Sequence, residues 1–229
     1  MIDLNAIRTL ADIPGVQARA RGDAIAIKFG ERETSYASLD MESNCVAHAL
    51  IASGISPGDR VSVLTKNHDS WFRTFFGSAL ARACLAPINC RLAAAEIAFI
   101  LDDARPKILF VGEDLFNCAL EAVADLAAPP RLITLYGSHP GFETFDDWLA
   151  DAPTSPPEDS PQLGDDVLQL YTSGTTGRPK GVVLGNQNYR NFLEMASEID
   201  GFAYNEDETV MIVMPLFHVA GTNVAFSGL

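Results

Sequence analysis

One stretch constrains this chain more than any other: YTSGTTGRPKG, residues 171–181. Val167, Leu168 and Leu170, just before it, make a short apolar run that predicts a buried strand. Ser173, Thr175 and Thr176 then set hydroxyls among Gly174, Gly177 and Gly181. Glycines let a backbone turn tightly and approach a ligand closely, and successive N–H groups in such a turn form a concavity for an anion. Lys180 adds a compact positive charge suited to phosphate. A Gly/Ser/Thr run between apolar segments is ordinarily a turn or linker. Here it leads at once, through Pro179-Lys180-Gly181, into a new apolar run over residues 182–184, which linkers do not do. The GxxxxGK[ST] phosphate loop does not fit either. Counting from Gly174, its second glycine falls on Pro179, and Lys180 is followed by Gly181.

The charge balance narrows the ligands. With 30 acidic and 16 basic residues the chain carries a formal charge of −14, which repels nucleic acid and anionic lipid. A polyanionic ligand would need local positive sites, and Arg178 and Lys180 supply them. An apolar share of 48% is ample for a core. Cys45, Cys84, Cys90 and Cys118 show no CxxC spacing, so neither a disulfide framework nor a zinc site is expected, and a reducing, cytoplasmic setting is the expected location. The start, MIDLNAIRTL, has Asp3 and no long apolar core, unlike a signal peptide. No apolar run approaches the roughly 20 residues of a membrane span; the richest, residues 72–90, is broken by Arg73, Arg82 and Pro87.

Along the chain, residues 13–20 predict an amphipathic helix, and residues 24–29 and 33–36 a β-hairpin about a turn at 30–32. Helices are predicted over 38–53, 71–83, 93–104 and 114–127, and strands over 61–64, 85–88, 107–111 and 132–136. That alternation indicates parallel βαβ units with helices on both faces of the sheet. Residues 151–164 hold Pro153, Pro156, Pro157 and Pro161 among acidic and small residues, a linker or long surface loop. It divides a first α/β lobe, residues 1–150, from the start of a second, residues 165–229. The second unit is read as strand 182–184, helix 189–199, strand 209–214 and a PLFHVAG turn. The chain stops in an apolar segment, AFSGL, which suggests truncation.

YTSGTTGRPKGVVL resembles the phosphate-loop signature of the adenylate-forming, or AMP-binding, superfamily of acyl-CoA synthetases, adenylation domains and luciferases. PLFHVAG, residues 215–221, is similar to the motif that family carries beside its acyl pocket, at the family's spacing. SYASLDMESNCVAHAL, PGDRVSVL and LAPINCRLAAAEIAFILDDARPKILFV resemble the family's N-terminal region. The resemblance implies the N-terminal part of that family's large domain: a mostly parallel α/β sheet flanked by helices on both faces, with an initial β-hairpin. The C-terminal domain and its lysine are not among these residues.

The implied activity is an ATP-dependent fatty-acid–CoA ligase, forming an acyl-adenylate and then an acyl-CoA thioester, with this segment inactive alone. Thr172, Ser173, Gly174, Thr175, Thr176, Gly177 and Lys180 would hold the phosphates of ATP, and Thr175 would reach a phosphate-bound Mg2+. Lys180 and His218 would carry the chemistry, His218 by lining the acyl and adenylate pocket. Partners would be a carboxylic acid, ATP and CoA, without nucleic acid or membrane span, and a homodimer of the complete enzyme is allowed. The alternatives are a non-catalytic nucleotide- or acyl-binding module, an aryl-acid–CoA ligase and a peptide-synthetase adenylation domain. Arg82 stands where the family commonly has Gly, and is expected to disturb a close helix–strand contact. Gly185-Asn186 replace the family's Ser/Thr-His.

Overall fold

A computed structural model describes residues 6–172, 178–199, 204 and 208–229. Helix α1 (Asp12–Arg21) precedes a hairpin of β1 (Ile25–Phe29) and β2 (Arg32–Ser35), then α2 (Tyr36–Ala52). Next come β3 (Arg60–Leu64), α3 (Ser70–Leu80), β4 (Cys84–Ile88), α4 (Ala94–Ala104), β5 (Ile108–Val111), α5 (Phe116–Val123) and β6 (Arg131–Thr134). A short α6 (Phe145–Leu149) leads into the proline-rich loop. Beyond it lie β7 (Asp166–Thr172), β8 (Lys180–Gly185), α7 (Asn186–Ser197) and α8 (Val219–Ser227).

β3 to β8 form one sheet in the order β6-β5-β3-β4-β7-β8. Its pairs are parallel except the last. The parallel strands are buried on both faces, which is why they read as continuous apolar runs. Val61, Val63, Ile108 and Phe110 point into a core shared with α2 and α3, while Leu64, Leu109 and Val111 face α4 and α5. The expected layered α/β architecture and opening hairpin are both present.

The sheet departs from expectation in three ways. First, β7 pairs with β4, so the two lobes expected on either side of residues 151–164 share one sheet. Secondly, β8 runs antiparallel to β7, because the connection between Thr172 and Lys180 is too short for the crossover that parallel strands need. Thirdly, residues 209–214 form no strand. No described strand lies beside them, and Met211 and Val213 stay 80% and 73% exposed. After them, what reads as a turn and tail is the helix α8, seated by Phe226 against Phe75 at 4.6 Å between ring centroids.

Arg82 does not distort its surroundings. It occupies the left-handed region (φ 58°) in the turn between α3 and β4, where glycine is the unstrained choice. Its fork offsets the strain: Nε and Nη2 donate to Asp165 at 2.9 and 3.0 Å, and Nη1 donates to Asp159 at 2.9 Å. The acidic loop is thereby tied to the sheet just before β7. Arg82→Ala should therefore make residues 151–164 the first site of limited proteolysis. Arg82→Gly should show the same cleavage with a smaller loss of Tm, because it also removes the strained backbone.

The β1–β2 hairpin is held to the start of α3 by a second ion pair. Arg32 Nε donates to Asp69 Oδ2 at 2.8 Å and its Nη2 to Oδ1 at 3.0 Å, while His68 stacks on Tyr136 at 3.9 Å. Burial opposes the charge on Asp69, but hydrogen bonds from His68 and Arg32 outweigh it and hold the carboxyl well below its usual range. A carboxyl lowered in this way stabilises the fold above its unfolded pKa, and that stability is lost as pH falls through the folded value. Asp69→Asn should lower Tm by about 3–6 °C at pH 7, with the gap to the native chain narrowing steadily below about pH 4. Thermal melts across that range check it.

Candidate active site

The β7–β8 pairing places Thr172 directly opposite Lys180, so residues 173–179 connect the ends of two hydrogen-bonded strands. The expected phosphate contacts Ser173, Gly174, Thr175, Thr176 and Gly177 lie outside the described residues. Lys180 is exposed. Three of the four lysines are ion-paired: Lys28 with Glu33, Lys66 with Asp114 and Lys107 with Asp59. Among the described residues, Lys180 has no such partner. In a chain of charge −14 it is a cation left open to an external anion.

The strand entering the loop is fixed by a chain of side-chain hydrogen bonds. Arg60 Nε donates to Gln169 Oε1 at 3.1 Å, Gln169 Nε2 to the Tyr171 hydroxyl at 2.9 Å, and that hydroxyl to Asp103 Oδ2 at 2.6 Å. Burial, followed by the bond to Asp103, raises the Tyr171 pKa, so the phenol stays a donor at neutral pH. Gly181 pairs with Tyr171 across the strands, and a Cβ there would stand 2.5 Å from Gln169 Nε2. Past the loop, the Arg178 guanidinium lies 5.7 Å from the Phe99 ring centroid.

PLFHVAG is held by a residue that sequence reasoning did not single out. Asn67, just beyond the C-terminal end of β3, donates through Nδ2 to the Met214 carbonyl at 3.0 Å and accepts from the Leu216 N–H at 2.9 Å. Leu216 and Phe217 are buried and close a small cavity against Trp71 and Ile88. His218 is exposed and directly precedes α8, with its ring 4.6 Å from that of Phe217. A Cβ on Gly221 would overlap the Pro215 carbonyl oxygen, so this glycine permits the close return of α8 onto the turn. Thr172 and Lys180 are thus brought together across a hairpin, and no hydrogen bond or ring contact joins His218 to either. Asp103 and Phe99 were also missed. Their four-residue spacing was visible, but nothing local marks what they meet.

Loops beyond the C-terminal ends of parallel strands are where open α/β sheets bind ligands, at points where neighbouring connections diverge. β4 returns across β3 to β5, whereas β7 continues outward to β8, so the loop after β7 stands at such a point. Residues 16–229 match the family described as AMP-binding enzyme. The chain belongs to that family.

Among relatives of this AMP-binding family chain, the fatty acid–[acyl-carrier-protein] ligase ScoC of Streptomyces coeruleorubidus is 36% identical over 220 residues, which is 94% of this chain and 40% of that protein. The indoleacetate–CoA ligase of Aromatoleum aromaticum is 34% identical over 200 residues, covering 86% and 38%. The solved N-terminal domain of FACL13 from Mycobacterium tuberculosis superposes with a TM-score of 0.81 at 27% identity, over 97% of this chain and 55% of that one. The chain spans about two fifths of the length of the curated relatives it matches.

Proposed function

We propose that this chain carries the phosphate-binding part of an AMP-forming acid–thiol ligase whose acid is a fatty acid. The observation that carries it is Lys180: the unpaired lysine, opposite Thr172, at the foot of a Gly/Ser/Thr loop in an AMP-binding family chain. In this reading Thr172, Lys180 and the 173–177 loop take the β- and γ-phosphates of ATP. A carboxylate oxygen attacks the α-phosphorus, the bond to pyrophosphate breaks, and a thiol then displaces AMP from the acyl-adenylate. Lys180 offsets the charge gathering on pyrophosphate; such catalysis is positioning plus electrostatics. A unit charge about 4 Å from a phosphate oxygen is worth roughly 4 kcal/mol at an effective dielectric near 20.

Magnesium, when bound, would neutralise phosphate oxygens, a role that suits a hard cation keeping most of its waters. Thr175, which would reach that ion through phosphate, lies outside the described residues. His218, on the turn that Asn67 clasps, would line the acid pocket by shape and hydrogen bonding. CoA is the proposed thiol. An aryl acid is the second reading, favoured by the indoleacetate ligase among the relatives.

The test uses the protein from its complete reading frame, assayed for carboxylate-dependent ATP–pyrophosphate exchange with acetate, octanoate, palmitate and benzoate, then for thioester formation. Octanoate or palmitate should lead; benzoate leading would select the aryl reading, and no exchange with any acid would leave a binding module. Lys180→Ala should cut exchange roughly a hundredfold or more, with much less effect on thioester formation from supplied acyl-adenylate. Equal loss in both half-reactions would overturn that role. His218→Ala should reorder the acids by kcat/KM and change the KM for ATP less. An unchanged order with a lowered Tm would make His218 purely structural.

A further inference from the structure

Helix α4 carries Phe99 and Asp103, four residues apart and so on one face. Asp103 accepts from Tyr171, the residue before Thr172, at 2.6 Å. Phe99 lies under Arg178, the first described residue after 173–177, at 5.7 Å. The two contacts differ in kind, one a charge-assisted hydrogen bond and the other a cation–π contact. They grip opposite stems of the same loop. The helix is anchored on its other side by Ile97, Ile100 and Leu101, all buried, so it is a firm support. The stems need one, because among the described residues β8 is the outermost strand and pairs on one side only. Without the grip, fraying of that last pair would let Lys180 drift from Thr172.

We propose that Phe99 and Asp103 are positioning residues for the phosphate loop, acting through Arg178 and Tyr171 and touching no substrate themselves. The identity of the ligand rests on the ligase reading above, whereas the anchoring does not. Asp103 is exposed, so removing its side chain leaves the core intact, whereas Phe99 is half-buried against the core and its removal also trims packing. At Asp103, loss of the grip should therefore appear in nucleotide handling rather than in global stability.

The experiment compares the complete native protein with Asp103→Ala and Phe99→Ala, and with the conservative Asp103→Asn and Phe99→Tyr, which keep an acceptor and a ring. Amide hydrogen exchange should quicken within residues 171–180 in both alanine variants and return towards native rates in the conservative pair. In pyrophosphate exchange the alanine variants should raise the KM for ATP about five- to twentyfold, with the KM for the acid changed less than about twofold and, for Asp103→Ala, Tm within about 3 °C. Unchanged hydrogen exchange over 171–180 in both alanine variants would overturn the anchoring. Faster exchange with an unaltered KM for ATP would overturn its role in positioning. Should the native protein show no pyrophosphate exchange with any acid, the ligase reading falls by itself, and the hydrogen-exchange comparison still decides the anchoring.

Discussion

The antiparallel pairing of β7 with β8 is the constraint on which the candidate site depends. A parallel sheet would have sent the chain from Thr172 through a long crossover, and Lys180 would have emerged far from it. The short return instead sets the two residues opposite each other. Among the described residues it also makes β8 the edge of the sheet, with Val182 and Val183 partly exposed. The residues flanking that connection, Tyr171 and Arg178, each meet a side chain of α4.

Electrostatics point the same way. In a chain of charge −14, a polyphosphate meets a repulsive field before it reaches any loop. Several cations elsewhere do little to relieve this, because Arg32, Lys66, Arg82 and Lys107 are each drawn to a neighbouring carboxylate. Those pairs serve architecture. Arg82 ties the acidic loop to the α3–β4 turn, and Arg32 ties the hairpin to the start of α3. Lys180 stands apart from the described carboxylates, and Arg178 rests on an aromatic ring instead of an acid. Among the described residues, neither of the loop's two cations has a carboxylate partner of that kind.

The parallel strands were legible because burial on both faces leaves an uninterrupted apolar signature, as in Leu109, Phe110 and Val111. The same rule misled at residues 209–214, an apolar run that pairs with no strand among the described residues. α8 was read as a turn and tail because its sequence, VAGTNVAFS, is poor in strong helix formers; packing of Phe226 on Phe75 decides it. Within the site, the loop and His218 could be singled out by their motifs. Asn67, Phe99 and Asp103 could not, because each matters through a partner distant in sequence, such as Met214 at the far end of the described chain. Arg82 shows the limit from the other side. Its charge was visible and read as a disturbance, but the carboxylates that receive it come from a loop some eighty residues on.

The glycines of the two motifs carry a further lesson. In the sequence Gly181 reads as backbone freedom near a ligand, yet its φ is not among the positive ones. Its side of the hairpin is filled by Gln169 and Tyr171, so the absence of a side chain is what admits the hydrogen-bond chain running from Arg60 to Asp103. Gly221 likewise makes room for the Pro215 carbonyl as α8 folds back. Both glycines therefore answer to packing before any ligand arrives. A substitution at either would disturb the loop stem or the turn even in a chain that bound nothing, so loss of activity at these positions cannot identify a phosphate contact. Lys180 is the residue whose environment separates the two explanations, because no described contact depends on its charge.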